Sequence, residues 1–84
     1  MSKRYRVTLT DEERRELIEF VGKGKSAARA LTHARILLKA DEVGGPGCRD
    51  TDICAAVEVG LSTVTRVRER FVEEGLEAAL RPLP

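Results

Sequence analysis

Residues 50–74 read DTDICAAVEVGLSTVTRVRERFVEE, and the spacing of their apolar residues decides how the rest of the chain is read. Ile53 and Val57 stand four apart, Val64 and Val67 stand three apart, and Val59 falls between the two pairs. Three- and four-residue spacings put side chains on one face of a helix. The stretch therefore reads as a short helix to about Val57, a tight turn around Glu58-Val59-Gly60, and a longer helix from about Leu61 to Glu74. Two short helices that cross steeply need an apolar residue on each facing side and one more to plug the corner, a role open to Val59. Close to the crossing a small residue is needed, and Cys54 or Ala55 serves. The pattern is that of a helix-turn-helix. Its second helix would carry Ser62, Thr63, Thr65, Arg66 and Arg70 on a polar face. Such a helix fits the major groove of double-stranded DNA, where polar side chains meet base edges and phosphates.

Working outward, Asp50 is placed to cap the short helix, and Gly75 to stop the long one. Leu76 to Leu80 reads as one more short helical turn before Pro82 and Pro84. Upstream, Gly44-Gly45-Pro46-Gly47 breaks the chain and reads as a linker. Before it, Ser26 can cap a helix whose apolar positions are Ala27, Ala30, Leu31, Ala34, Leu37 and Leu38. The first helix is expected over about 11–21. Thr10 and Glu13 form a capping box, Leu17, Ile18 and Val21 form its stripe, and Gly22 and Gly24 stop it. Tyr5 to Leu9 alternates polar and apolar residues, as an extended arm does. No strand pairing is required. The fold class is all-α: one domain over 1–84, a five-helix bundle of homeodomain-like or winged-helix-like form. Its parts are a basic arm (1–10), a helical hairpin (11–43), the helix-turn-helix (50–74) and a short tail (76–84).

The chain has 84 residues, 42% of them hydrophobic and 35% charged, which suits one folded domain and leaves too little chain to wall a deep substrate cleft. No apolar run approaches the ~18 residues of a membrane span. No apolar signal core opens the sequence, so a cytoplasmic, nucleoid-associated location is expected. The formal net charge of +1 hides basic clusters. Lys3, Arg4 and Arg6 stand without an acid, as do Lys23, Lys25, Arg29, Arg35 and Lys39, and Arg66, Arg68 and Arg70 are interrupted by Glu69 alone. Clustered cations attract phosphate even on a near-neutral chain. Arg29, Lys25, Arg4 and Arg6 are accordingly expected to hold the DNA backbone. The arm with Tyr5 reads equally as a minor-groove reader or as a frayed basic terminus.

Other chemistry finds little support. Cys48, Cys54 and His33 lack the four ligands in paired spacings of a structural zinc site, so no metal and no cofactor are expected. Cys54 reads as a small core residue and His33 as a surface or phosphate-facing one. The acids from Asp11 to Glu19 suit a solvated helix face. No nucleophile pattern or glycine-rich phosphate loop is present, and the chain is not expected to be an enzyme.

Four segments are familiar together: Tyr5 to Thr10, Lys23 to Arg29, Ala34 to Leu38, and Arg66 to Leu80. Together they resemble the N-terminal DNA-binding region of bacterial insertion-sequence transposases of the mariner-like superfamily, with the segment Phe71 to Leu80 the most specific part. The resemblance implies a homeodomain-like region that recognises the terminal inverted repeats of a mobile element in transposition, a form of DNA recombination. It also implies a separate catalytic domain, which would begin beyond Pro84. The sequence departs from the family where Glu58 replaces the usual turn glycine, where Gly60 replaces a Ser or Thr cap, and where Leu61 and Ser62 replace an arginine pair. Glu58 is expected to be strained if the turn takes a positive φ.

Two rival readings stand beside DNA binding. One is a protein-interaction module or homodimer, paired through the Val64, Val67 and Phe71 face or through Leu61 and Leu76. The other is a decayed transposase remnant with little DNA binding.

Overall fold

The computed structural model describes residues 5–24 and 27–81. Its helices are α1 (Asp11–Lys23), α2 (Ala28–Ala40), α3 (Asp50–Val57), α4 (Leu61–Glu74) and α5 (Leu76–Leu80). Among the described residues no strand forms, in keeping with the all-α class.

α1 starts where the capping box predicts. Thr10 Oγ1 accepts from the Glu13 backbone N–H at 3.1 Å, and Glu13 Oε1 accepts from the Thr10 N–H at 3.0 Å. The helix runs past Gly22 and ends at Gly24, two residues later than expected. Leu17 is fully buried and Val21 packs beside it, whereas Ile18 is 58% exposed and leaves the predicted stripe. Phe20 takes its place against the core.

α2 is the central helix. It packs against α1, α3, α4 and α5, which explains why His33, Ala34, Ile36, Leu37 and Ala40 are all buried. Contact on several sides overrides a single stripe, and so Ile36 is in the core although the stripe omits it. Ala27 occupies the N-cap position, while Ser26 lies outside the described residues. His33 corrects the sequence reading. It is 2% exposed, and its Nδ1 lies 3.0 Å from the carbonyl of Ala79.

The glycine-rich stretch after α2 is a tight loop built on Asp41, where a linker was expected. The Asp41 carboxylate is fully buried and accepts from Arg14 Nε at 2.8 Å and from the backbone N–H groups of Leu9, Val43 and Gly44. Gly45 sits so close that an added Cβ would lie 2.7 Å from the Leu38 carbonyl oxygen, which requires glycine there. The loop closes with Gly47 N–H donating to Asp41 O and Cys48 N–H donating to Lys39 O.

The segment before α1 departs from the expected arm. Val7 and Leu9 are core residues, 0% and 2% exposed. The Val7 carbonyl accepts from Glu42 N–H at 2.9 Å, the Leu9 N–H donates to Asp41 Oδ1 at 3.0 Å, and Arg68 Nε donates to the Tyr5 carbonyl at 2.9 Å. Residues 5–9 therefore form a strap across the bundle, with only their polar alternates facing outward. Each fully buried aliphatic side chain contributes about 1.5–3 kcal/mol, enough to fix such a segment.

Candidate nucleic-acid interface

α3 and α4 pack as the valine spacing requires. Ile53, Val64 and Val67 are fully buried, and Val57, Val59 and Cys54 pack partly buried against them. Cys54 supplies the small residue near the crossing, since Ala55 is exposed. The turn is made by Glu58 in the left-handed region, at φ 59° and ψ 51°, so the condition for strain at this non-glycine residue is met. Val59 N–H then donates to Cys54 O at 3.2 Å. Gly60 caps α4 with extended backbone and no side-chain hydrogen bond. Arg49, not Asp50, is the N-cap of α3. Asp50 is instead the first helical residue, and its carboxylate accepts from Arg68 Nη1 at 2.9 Å.

With Val64 and Val67 turned inward, the opposite side of α4 presents Ser62, Thr65 and Arg66 to solvent. These three expected site residues share the exposed face of the amino-terminal half. Thr63 is half-buried and lines a cleft with Arg66. Farther along, the face changes character, because Glu73 and Glu74 are exposed and Glu69 is partly so. The polar and basic half precedes the acidic half along one helix.

The three arginines of the 66–70 cluster part company. Arg66 is exposed. Arg68, two residues on, points to the other side and is consumed by Asp50 and the Tyr5 carbonyl. Arg70 differs from the expected contact residue: its side chain is only 23% exposed, and its one ion pair is to Glu74 at 3.8 Å. Its charge is felt at the buried His33 ring, and beyond the end of α4 Gly75, with φ 96°, turns the chain into α5. The Arg70 Nε is enclosed without a hydrogen-bond partner.

Each flank of the exposed half of α4 carries a depression. On one side a cleft of about 540 Å³ is lined by Arg29, Thr32, His33, Val59, Thr63 and Arg66. Arg29, exposed near the start of α2, thus faces the same space as Arg66. On the other side a groove of about 620 Å³ is bordered by Arg6, Arg49, Arg68 and Thr65 together with the acids Glu42 and Asp50. Arg6 is exposed and pairs with Glu42 at 3.3 Å. Arg49, also exposed, went unnoticed in the sequence; its place just before an Asp-rich helix start was the available signal. Arg4 and Lys25 lie outside the described residues.

Burial pushes the His33 imidazole below its ordinary pKa, and the positive charges of Arg29 and Arg70 push the same way, against the Ala79 carbonyl. His33 is thus neutral near pH 7, with Nδ1–H donating to Ala79. Among the described residues no group of His, Cys, Asp or Glu gathers as a metal site, and no helix is long and apolar enough to cross a membrane. Residues 27–80, from α2 through α5, match the family model of the homeodomain-like domain. No characterised protein and no solved structure matches the chain.

Proposed function

The chain belongs to the homeodomain-like family, and from that membership we propose that it binds double-stranded DNA with the amino-terminal half of α4 in the major groove. The observation that carries this reading is the exposed trio Ser62, Thr65 and Arg66, held outward by the buried valines on the opposite side of the same helix. A recognition helix reads base edges with its first turns, and here those turns are the ones free of acids. Arg66 suits a guanine edge or a phosphate, and the hydroxyls of Ser62 and Thr65 make shorter polar contacts. The finer reading is sequence-specific recognition of the terminal inverted repeats of an insertion sequence, in a nucleoid-associated role without catalysis. Its support is the resemblance of the Arg66 to Leu80 segment.

Titration of duplexes with and without an inverted-repeat sequence, at several salt concentrations, tests both levels. If about five phosphates are neutralised, log affinity falls with log salt at a slope of about −4 to −5. Arg66→Ala weakens binding by about 1–3 kcal/mol if that side chain reads a base. A flat salt dependence overturns the electrostatic reading, and unchanged affinity in Arg66→Ala overturns the choice of helix. Equal affinity for all duplexes removes the inverted-repeat reading alone.

A protein-pairing reading keeps one observation in its favour. Leu61 and Val72 are 54% and 46% exposed on α4. Val64 and Val67, by contrast, are spent in the core and unavailable to a partner. A dimer in sedimentation that ignores added duplex favours pairing; a monomer that shifts on adding duplex favours DNA.

A further inference from the structure

The cleft between α2 and α4 brings Arg66 of the groove-reading face together with groups that the face itself does not use. Arg29 and Thr32 approach from α2, Thr63 and Arg66 from α4, and the His33 ring forms part of the wall. Two guanidinium groups and two hydroxyls around one space, with no carboxylate among them, offer the donors and the positive charge that suit a single anionic oxygen cluster. The cleft adjoins the exposed turns of α4, where a duplex seated on that helix would place its backbone. We propose that this cleft seats one backbone phosphate of the bound duplex between Arg29 and Arg66, and that seating it draws a proton onto His33.

The inference rests on the DNA reading above. Its physical basis is the change of charge around one imidazole. His33 faces Arg29 from its own helix, Thr63, Arg66 and Arg70 from α4, Val59 from the turn and the Ala79 carbonyl from α5. In the free protein burial first, and then the charges of Arg29 and Arg70, oppose a positive charge on the ring. The Nδ1–H bond to Ala79 leaves Nε2 as the nitrogen to be protonated. A phosphate in the cleft cancels the repulsion and adds an attractive partner, so the protonated ring is favoured only in the complex. Linkage then requires the reciprocal effect: duplex affinity rises as pH falls through the window between the free and bound His33 pKa values, which opens below the ordinary imidazole value of 6.5 for the free protein.

The chain contains one histidine, so its imidazole NMR signals report on His33 without ambiguity. The full chain is titrated with pH, free and bound to a mixed-sequence duplex of about 20 base pairs, since phosphate contacts are sequence-independent. The expected result is a bound-state His33 pKa higher than the free one. Affinity should also rise several-fold between about pH 7.5 and about pH 6 at constant salt. His33→Asn, whose side-chain amide can still donate to Ala79 O, should lose the pH dependence of duplex affinity. Arg29→Ala should weaken binding alike for every duplex and reduce the salt slope by about one. A duplex that binds while the His33 titration stays put and Arg29→Ala keeps the full slope overturns the phosphate seat and leaves the groove reading intact. Failure of the unaltered chain to bind duplex overturns the groove reading itself. The NMR comparison uses the unaltered chain, so it decides the matter even if His33→Asn does not fold.

Discussion

Glu58 is the residue at which the turn is held against local preference. A left-handed backbone costs a side-chain-bearing residue about 1–2 kcal/mol, and Glu58 is the sole non-glycine with positive φ among the described residues. Its carboxylate is exposed, so no buried contact offsets the strain. Glu58→Gly is expected to stabilise the fold by about 1 kcal/mol, after the added entropy of an unfolded glycine, and to raise Tm by about 4–8 °C for a domain of this size. A lower Tm on thermal unfolding would mean that Glu58 makes a contact worth more than the strain. This residue was legible beforehand, because a turn type fixes φ regardless of sequence elsewhere. His33 and Arg70 were not. His33 takes its partner from α5, and nothing in the spacing of α2 tells that a short helix returns over it; the enclosure of Arg70 Nε is likewise not written in the period of α4.

Among the elements, the valine-spaced pair α3 and α4 was read from sequence with its boundaries almost unchanged, since helix–helix contact is written in three- and four-residue periods. The strap was not, because period-two alternation fits a solvated arm as well as a buried extended segment, and burial of Val7 and Leu9 depends on partners far along the chain. Asp41 supplies those partners. Burial alone would raise its pKa, but the Arg14 guanidinium and the N–H groups of Leu9, Val43 and Gly44 outweigh that and hold it below its ordinary value of 3.8. A carboxylate with a depressed folded pKa contributes its stability above the unfolded pKa and loses it as pH falls through the folded one. Stability should thus decline from about pH 4 downward. Asp41→Asn should cost about 1–3 kcal/mol at neutral pH, through the weakened hydrogen bonds at the buried Asp41 position while Arg14 keeps Asp11 and the Leu9 carbonyl, and should flatten the acid limb. Urea unfolding at a series of pH values checks both. A variant that loses stability in parallel with the unaltered chain down to acid pH would show that the acid limb belongs to other groups.

At the scale of the whole molecule, function depends on where charge lies, since the net charge is only +1. The basic side chains flanking the first turns of α4 are Arg29 and Arg66 on one side and Arg6 and Arg49 on the other. The exposed acids of the same helix lie toward its far end. If the chain binds DNA as proposed, such a gradient would tilt the helix, amino-terminal end toward the duplex, because phosphates attract the first half and repel the second. Glu69 lies one turn from Arg66, well inside the Debye length of ~10 Å at 0.1 M salt, so its repulsion is felt. Glu69→Gln and Glu73→Gln together should tighten duplex binding by about 3–10-fold near 0.1 M salt, alike for all sequences, with the gain shrinking as salt rises. The check is the same salt-dependent titration run on the doubly substituted chain. An affinity that does not change places the acidic half of α4 far from any phosphate, whereas a loss of affinity confined to one sequence would assign Glu69 or Glu73 to a base edge such as a cytosine amino group. Tightening for every sequence is the outcome expected of a helix docked by its first turns with its acidic half still within reach of the phosphates.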